Sequence, residues 1–555
     1  MNPILLIILD GWGLAPAGPG NAITLAHTPN FDHYFKNFPH ASLEASGESV
    51  GLPRNEVGNT ETGHLNIGAG QIVYQDLPRI NMSIADGTFF QSPSLLAAKQ
   101  HIQKNNSQLH LMGLIGPGGV HSKLEHLIAL IRFCKENQIT NVAVHAFTDG
   151  RDSPPTSSSI YLDQIEAELQ KYQIGYLASV TGRYYAMDRD MRWDRTEKAY
   201  RMLTQGQGAT AHDHAAIVNK SYQQGKTDEF IEPTLITDEN GQPKALIKPN
   251  DAVIFFNFRI DRPRQLAKAF VLPEFNAQTV KGGYDPFHIK YHGKHQTDTP
   301  PPTQPFNRGP KLNNLYFCTM TEYQTDLPVD DIIIPPLQVH TPLGKVISDQ
   351  GWTQLRASES EKERFVTYYF NGQQEQPFPG EDRLIIPSPK IPTYDQQPEM
   401  SAYQLTDSVI EQITQKNYPI TVMNFANADM VGHTGNLEAT IKAVETVDVC
   451  IGKLVNFINS QNGTTLITAD HGNSESMINL RSGEPDTEHS DQPVPFVIIP
   501  SKYANTASQQ IDGSQNPPAK LNLGTGILAD IAPTLLALAG LEKPTGMTGK
   551  NLLEQ

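Results

Sequence analysis

Apolar residues in this chain fall in short unbroken runs rather than in strict alternation with polar ones. Ile4–Leu9, LHLMGLI (109–115), NVAVHAF (141–147), AVIFFNF (252–258), ITVMNF (420–425), TTLIT (464–468) and PFVII (495–499) are all of strand length. Runs of this kind predict strands buried on both faces. Between them, Leu124–Glu136 and Tyr161–Gln170 read as helices. The stretch 437–459 carries Ile441, Val444, Val447, Ile451, Leu454 and Ile458 at three-and-four spacing, which is one apolar helix face. Strands separated by helices predict α/β architecture with largely parallel sheets.

At 555 residues the chain is too long for one core, so two or more domains are expected. Residues 285–311 interrupt the pattern with proline and polar residues, three consecutive prolines at 300–302 among them, and read as a linker or surface excursion. Its histidines, His288, His292 and His295, are taken as solvated rather than metal-bound. No internal repeat is evident.

Hydrophobic content of 38% and charged content of 18% suit a soluble globular protein. Forty-three basic against 59 acidic residues give a net charge of −16, which argues against nucleic acid as a partner but leaves room for a small anionic substrate. Cys134, Cys318 and Cys450 are odd in number and far apart, so neither a disulfide framework nor a thiolate zinc site is indicated. A reducing cytoplasm fits. The Ile4–Leu9 run lacks a basic leader and is too short for a signal peptide or a membrane span.

Several runs end in, or lead into, residues that can do chemistry. ILLIILDG ends in Asp10, TTLITADHG in Asp470 and His471, and ITVMNFANADMVGH leads to Asp429 and His433. Ligand sites of open α/β sheets gather at the carboxyl ends of strands, so these groups could converge. A single such Asp is more often a helix cap, but three ends, two with His, shift the balance towards metal. DMVGH would place Asp429 and His433 on one face if helical; its glycine leaves a loop equally open. His489 precedes the last apolar run. Carboxylates and imidazoles without thiolate suit Mn²⁺, Zn²⁺, Fe²⁺ or Mg²⁺, and there are enough of them for two ions.

A second group lies between 121 and 264. GGVHS holds His121, HAFTDGRDSPP holds Arg151 and Asp152, and SVTGRYYAMDRD holds Arg183 and Arg189. FFNFRIDRPRQ adds Arg259, Arg262 and Arg264. Arginines clustered after strands in so acidic a chain read as an anion pocket, since the guanidinium fork matches carboxylate and phosphate oxygens. Asp152 is either their partner or a general acid/base. GNTETGHLNIGAG (58–70) packs Thr60, Glu61, Thr62 and His64 among four glycines and, read alone, is a polar surface loop. Beside two metals it would supply a hydroxyl.

Taken together, LIILDGWG, GNTETGHLNIGAG, HAFTDGRDSPP, GRYYAMDRDMRWDR, FFNFRIDRPRQ, NFANADMVGHTG and TADHGNSE resemble the 2,3-bisphosphoglycerate-independent phosphoglycerate mutases over essentially the whole chain. The resemblance implies an alkaline-phosphatase-like α/β metal domain (1–76 and 311–555) interrupted by an inserted α/β transferase domain (77–310), with joins near Gln75–Pro78 and Arg308–Leu312. It implies interconversion of 3- and 2-phosphoglycerate through a phosphoenzyme, with two Mn²⁺ and no 2,3-bisphosphoglycerate. Carried over by motif, Asp429, His433 and His489 hold one ion, and Asp10, Thr60, Asp470 and His471 the other. His121, Arg151, Asp152, Arg183, Arg189, Arg259, Arg262 and Lys362 match substrate positions, Thr60 the nucleophile, and Asp152 and Lys362 further catalytic groups. A monomer without membrane or nucleic-acid partners is expected.

Four features depart from the family pattern: Thr60 replaces serine, Pro117 stands where aspartate is usual, the 285–311 excursion is longer, and the neighbours of His489 differ. The competing expectations are a metal-dependent phosphomonoesterase or phosphodiesterase of the same superfamily, and a catalytically inactive binding protein.

Overall fold

The computed structural model of the protein describes residues 2–277, 303–479, 481–500 and 522–554. It forms two compact units. The first joins Met1–Gln75 to Leu337–Gln555, and the second, Asp76–Pro336, is inserted between them. The second join therefore falls after the expected Arg308–Leu312 position. The reason is a strand: Tyr316–Thr319 pairs in parallel with Ala252–Phe255, so the chain stays in the inserted unit until Pro336. Most of the 285–311 excursion, with its three histidines, lies outside the described residues; 303–309 has no regular structure.

The first unit is built on a sheet of eight strands among the described residues. Their order is Glu381–Ile386, Gln354–Glu359, Ile420–Phe425, Ile4–Leu9, Thr464–Thr468, Val494–Pro500, His40–Glu44 and Asn522–Ile527. The first five run parallel, whereas Val494–Pro500 pairs antiparallel on both sides, so the sheet is mixed rather than simply parallel. Every residue of ILLIIL is buried, as the unbroken apolar run predicts for a central strand covered on both faces. Leu437–Ser460 is one long helix that buries Val444, Val447, Ile451, Leu454 and Ile458 of the predicted face in this unit's core, while Ile441 is only half-buried.

The inserted unit has its own eight-stranded sheet among the described residues, centred on Leu109–Ile115 between Ala252–Phe255 and Val142–Thr148. Its neighbours are parallel except where Tyr176–Gly182 meets Thr234–Ile236. Leu109, Leu111 and Ile115 enter one core and Met112 and Leu114 another, so helices cover both faces. The predicted helices are Leu124–Glu136 and the slightly longer Ser158–Tyr172. The expected strand 252–258 stops at Phe255, because beyond it the amide of Phe258 donates to the His121 carbonyl.

Candidate active site

In the first unit, three parallel neighbours in the sheet carry their carboxylates just past their carboxyl ends. Asp10 follows Leu9, Asp470 follows Thr468 by two residues, and Asp429 lies in the short helix Asn427–Gly432 after Phe425. Asp10 N–H donates to the Phe425 carbonyl (3.1 Å), Asp429 N–H to the Asp10 carbonyl (3.1 Å) and Gly11 N–H to Asp470 Oδ1 (3.3 Å), which ties the three ends together. So close an approach needs Gly11, whose φ is +71° and where a Cβ would lie 2.8 Å from that of Asp429.

GNTETGH is not the surface loop that its composition suggests. Thr60–Ala69 is a buried α-helix, with Asn59 as its N-cap. Its glycines serve packing: a Cβ on Gly63 would sit 2.4 Å from the Asp470 carbonyl oxygen. The cap also separates the two threonines. Thr62 spends its hydroxyl on Asn59 Oδ1 (2.6 Å). Thr60 Oγ1 instead faces the cluster, 3.0 Å from His471 Nε2, 3.1 Å from Lys362 Nζ and 3.4 Å from Asp10 Oδ1. It also lies at a helix N-terminus, where negative charge is favoured.

The imidazoles are oriented in one sense. Nδ1 of His433 donates to the Thr487 carbonyl (2.8 Å), that of His489 to the Gly58 carbonyl (2.8 Å) and that of His471 to the Gly472 carbonyl (3.2 Å). Each Nε2 therefore points inwards, at 3.2, 3.3 and 4.0 Å from Asp429 Oδ1 respectively, where it carries a proton or gives its lone pair to a cation. The Nε2 atoms of His433 and His489 are only 3.1 Å apart, a contact that needs a cation or a proton between them. Asp429 and His433 do share one helical face.

Charge in this cluster is one-sided. Burial disfavours the ionised Asp470, yet His471, His64 and Lys362 hold its pKa down at about 2. Burial likewise opposes a charged His471, but Asp470, Asp10 and Asp429 raise its pKa to about 10. The same three carboxylates outweigh burial to raise the pKa of Lys362. Its ammonium lies 2.6 Å from Asp10 Oδ1 and 2.7 Å from Asp429 Oδ2, standing where a cation is wanted. Asp470 Oδ2 is buried without a hydrogen-bond partner among the described residues. Three clustered carboxylates, inward-pointing imidazole nitrogens and an orphaned carboxylate oxygen fit divalent metal. Distances group Asp429, His471 and His489 together, and Asp10, His64 and Asp470 together. His433 joins the first set through Asp429 and His489, and Thr60 the second through Asp10.

The inserted unit gathers the second predicted set. Arg183, almost fully buried, places Nη1 2.5 Å from both Asp149 Oδ1 and Asp152 Oδ2, and its Nη2 donates to His121 Nε2 (3.1 Å). Burial, aided by the arginines nearby, pushes the His121 pKa down to about 3 against the pull of Asp261, leaving a neutral ring. Burial favours the neutral acid at Asp152, but Arg183 prevails and lowers its pKa, so it is ionised. Asp261 draws in the rest: Arg189 at 2.6 Å, Arg259 at 3.4 Å and His121 at 3.5 Å. Arg262 Nε is buried without a hydrogen-bond partner among the described residues. Burial and the charges of Arg183 and Arg189 pull its pKa down to about 10, a strain that an anion would relieve. Arg151 is the outlier, with a side chain 56% exposed and 3.7 Å from Glu229. A shallow concavity is lined by Gly116, Gly118, His121, Asp149 and Asp152.

Replacing Arg183 by methionine should strand Asp149 and Asp152 without their counter-charge. Removing one partner of a buried pair costs about 3–5 kcal/mol, to be read as a lower urea midpoint for the variant. An unchanged midpoint would mean that the pair is idle.

Four contributors escaped the sequence reading. Asp149 was passed over for Asp152 in TDGRD, and Asp261 among its arginines; Asn424 and Asn473 carry no signal by residue type. Asn473 Nδ2 donates to Asp429 Oδ1 (3.0 Å). Lys362, matched to substrate, stands in the acid–imidazole cluster of the first unit.

This is an α/β protein of two units, with an acid–imidazole cluster in one and an arginine cluster in the other, a combination suited to phosphate esters. Residues 80–325 match the family model described as the BPG-independent PGAM N-terminus. Over 552 residues the chain is 46% identical to the 2,3-bisphosphoglycerate-independent phosphoglycerate mutase of Clostridium beijerinckii, covering all of this chain and 99% of that protein. It is equally similar, at 46%, to the protein of that name from Chloroflexus aggregans, of which it covers 98%. Among solved structures, a Leishmania mexicana phosphoglycerate mutase studied at low cobalt concentration matches at 28% identity and a TM-score of 0.56, over 99% of this chain and 97% of that one. The chain belongs to the 2,3-bisphosphoglycerate-independent phosphoglycerate mutase family. Among the described residues, no helix is long and apolar enough to cross a membrane.

Proposed function

We propose that the protein interconverts 3-phosphoglycerate and 2-phosphoglycerate by passing the phosphoryl group through Thr60. The observation that carries this reading is the placement of the two hydroxyls: Thr62 is consumed by the helix cap, whereas Thr60 Oγ1 faces His471, Lys362 and Asp10. Thr60 attacks phosphorus as the ester bond to C3 breaks, and the C2 hydroxyl then takes the group back from phosphothreonine. Net proton count is unchanged, because the C2 hydroxyl gives up one proton and the C3 oxygen gains one. Asp152, ionised beside Arg183, would accept it. The arginines hold the carboxylate and phosphate of the glycerate, and keep the alcohol for the return step that a hydrolase does not need.

Asp429, His433 and His489 would hold one divalent ion, and Asp10, Thr60, Asp470 and His471 a second, His471 Nε2 lying nearer Asp10 Oδ1 (3.4 Å) than Asp429 Oδ1 (4.0 Å), with Mn²⁺ preferred and Zn²⁺, Fe²⁺ or Mg²⁺ as substitutes. Ions so bound would supply positive charge that lowers the hydroxyl's pKa and offsets the negative charge of the phosphoryl group. Threonine is an adequate nucleophile because phosphoryl transfer has a loose transition state that rewards position more than basicity. A cytoplasmic setting fits the substrate.

Purified protein given 3-phosphoglycerate and Mn²⁺, with no bisphosphoglycerate, should form 2-phosphoglycerate in an enolase-coupled assay. Arg262→Ala should slow it at least tens-fold, in line with about 2–5 kcal/mol for a lost buried charge contact. Release of inorganic phosphate without isomerisation would replace the mutase by a phosphatase.

A further inference from the structure

The grouping of Asp10, His64 and Asp470 looks like a three-ligand metal set. The hydrogen bonds of His64 give it another part. Asn424, on the strand beside Ile4–Leu9, places its side-chain nitrogen 2.7 Å from Asp10 Oδ2 and 3.1 Å from His64 Nε2. A carboxylate only accepts, so the atom facing Asp10 is the amide NH₂. Its second N–H then points at His64, which makes Nε2 an acceptor and puts the ring proton on Nδ1. That Nδ1–H donates to the Thr60 carbonyl (3.0 Å), and Nδ1 lies 3.1 Å from Asp470 Oδ2. Both ring nitrogens are thus occupied, and neither has a lone pair free for a metal. All four side chains are fully buried.

We propose that Asn424 and His64 form an internal strut, running by hydrogen bonds from Asp10 through Asn424 and His64 to the Thr60 backbone, with the His64 ring lying against Asp470 Oδ2, that sets the spacing of these groups without binding metal itself. The proposal rests on the reading above that Asp10 and Asp470 hold an ion. Both are positioning residues. The strut adds a side-chain link from the ends of the Ile4–Leu9 and Ile420–Phe425 strands, themselves joined by the Asp10 N–H to Phe425 carbonyl bond, to the first turn of the Thr60 helix. Partners of this kind tune affinity by roughly 10- to 100-fold.

The test is a calorimetric Mn²⁺ titration of metal-free wild type, Asn424→Leu and His64→Leu, with far-UV circular dichroism as a check on folding. Repeating each titration in an Asp429→Asn background isolates the position at Asp10 and Asp470. Wild type should take up two ions. Both variants should bind one ion as wild type does and the ion at Asp10 about 10- to 100-fold more weakly, saturating at raised Mn²⁺. Equal weakening at both positions would reveal a general structural defect and overturn the strut, as would no weakening at either. If His64→Leu never fills the Asp10 position while Asn424→Leu does so normally, His64 is a ligand and the proposal is wrong. Should His64→Leu fail to fold, His64→Gln replaces it with the same expectation. Wild type that binds no ion at Asp10 would overturn the metal reading itself, and the strut with it.

Discussion

Thr60→Ala should lose turnover by at least about a thousandfold while keeping its fold, because loss of a nucleophile leaves only binding and electrostatics to act. The hydroxyl lies at the start of a helix whose own packing does not depend on it: its cap is Asn59, and Gly63 makes the close contact with Asp470. Thr60→Ser should remain active, since it keeps an oxygen at the same place and removes one methyl group. The β-branch restricts χ1. The serine variant therefore reports whether that restriction holds the oxygen in line or crowds the phosphate. Near-native turnover in the alanine variant would remove Thr60 from the reaction.

Removal of metal should have an effect of similar size. Chelated protein is expected to be inactive and to recover best with Mn²⁺, and Asp429→Asn should resist recovery, because Asp429 Oδ1 faces three imidazoles. Metal-free protein also carries a pH signature. The His471 pKa, raised to about 10 by Asp470, Asp10 and Asp429 against burial, means that its charged ring stabilises the fold fully below its unfolded pKa of about 6.5. That contribution is lost as pH climbs from there through about 10. Thermal melts of chelated protein should fall over this window, and the fall should shrink once Mn²⁺ takes over the role of the proton. Full activity after chelation would contradict the metal assignment.

What could be read from the chain followed from how directly each feature is written in local pattern. Ile4–Leu9 and Ile420–Phe425 were legible because strands covered on both faces must be apolar throughout. The Leu437–Ser460 helix was legible because one face alone is buried. The antiparallel pairing of Val494–Pro500 was not, since direction leaves no mark on composition. Nor was the second domain join: Tyr316–Thr319 is only four residues long and follows a proline-rich stretch that looks like a boundary. Glycines disguised the Thr60 helix as a loop, because they answer to neighbours far away in sequence, Asp470 and Phe370. Asp10, Asp429, His433, Asp470, His471 and His489 were legible as metal-type residues at strand ends, and the structure brings them together. His64 and Asn424 were not assigned, because a buried polar contact has no periodicity to betray it.

Between its two transfers the phosphoryl group should rest on Thr60. Enzyme mixed with 3-phosphoglycerate and Mn²⁺, quenched in acid within one turnover and digested, should yield a peptide bearing phosphothreonine at residue 60 by tandem mass spectrometry. A phosphoryl group found only on Thr62, or a fully active enzyme that never carries one, would contradict it.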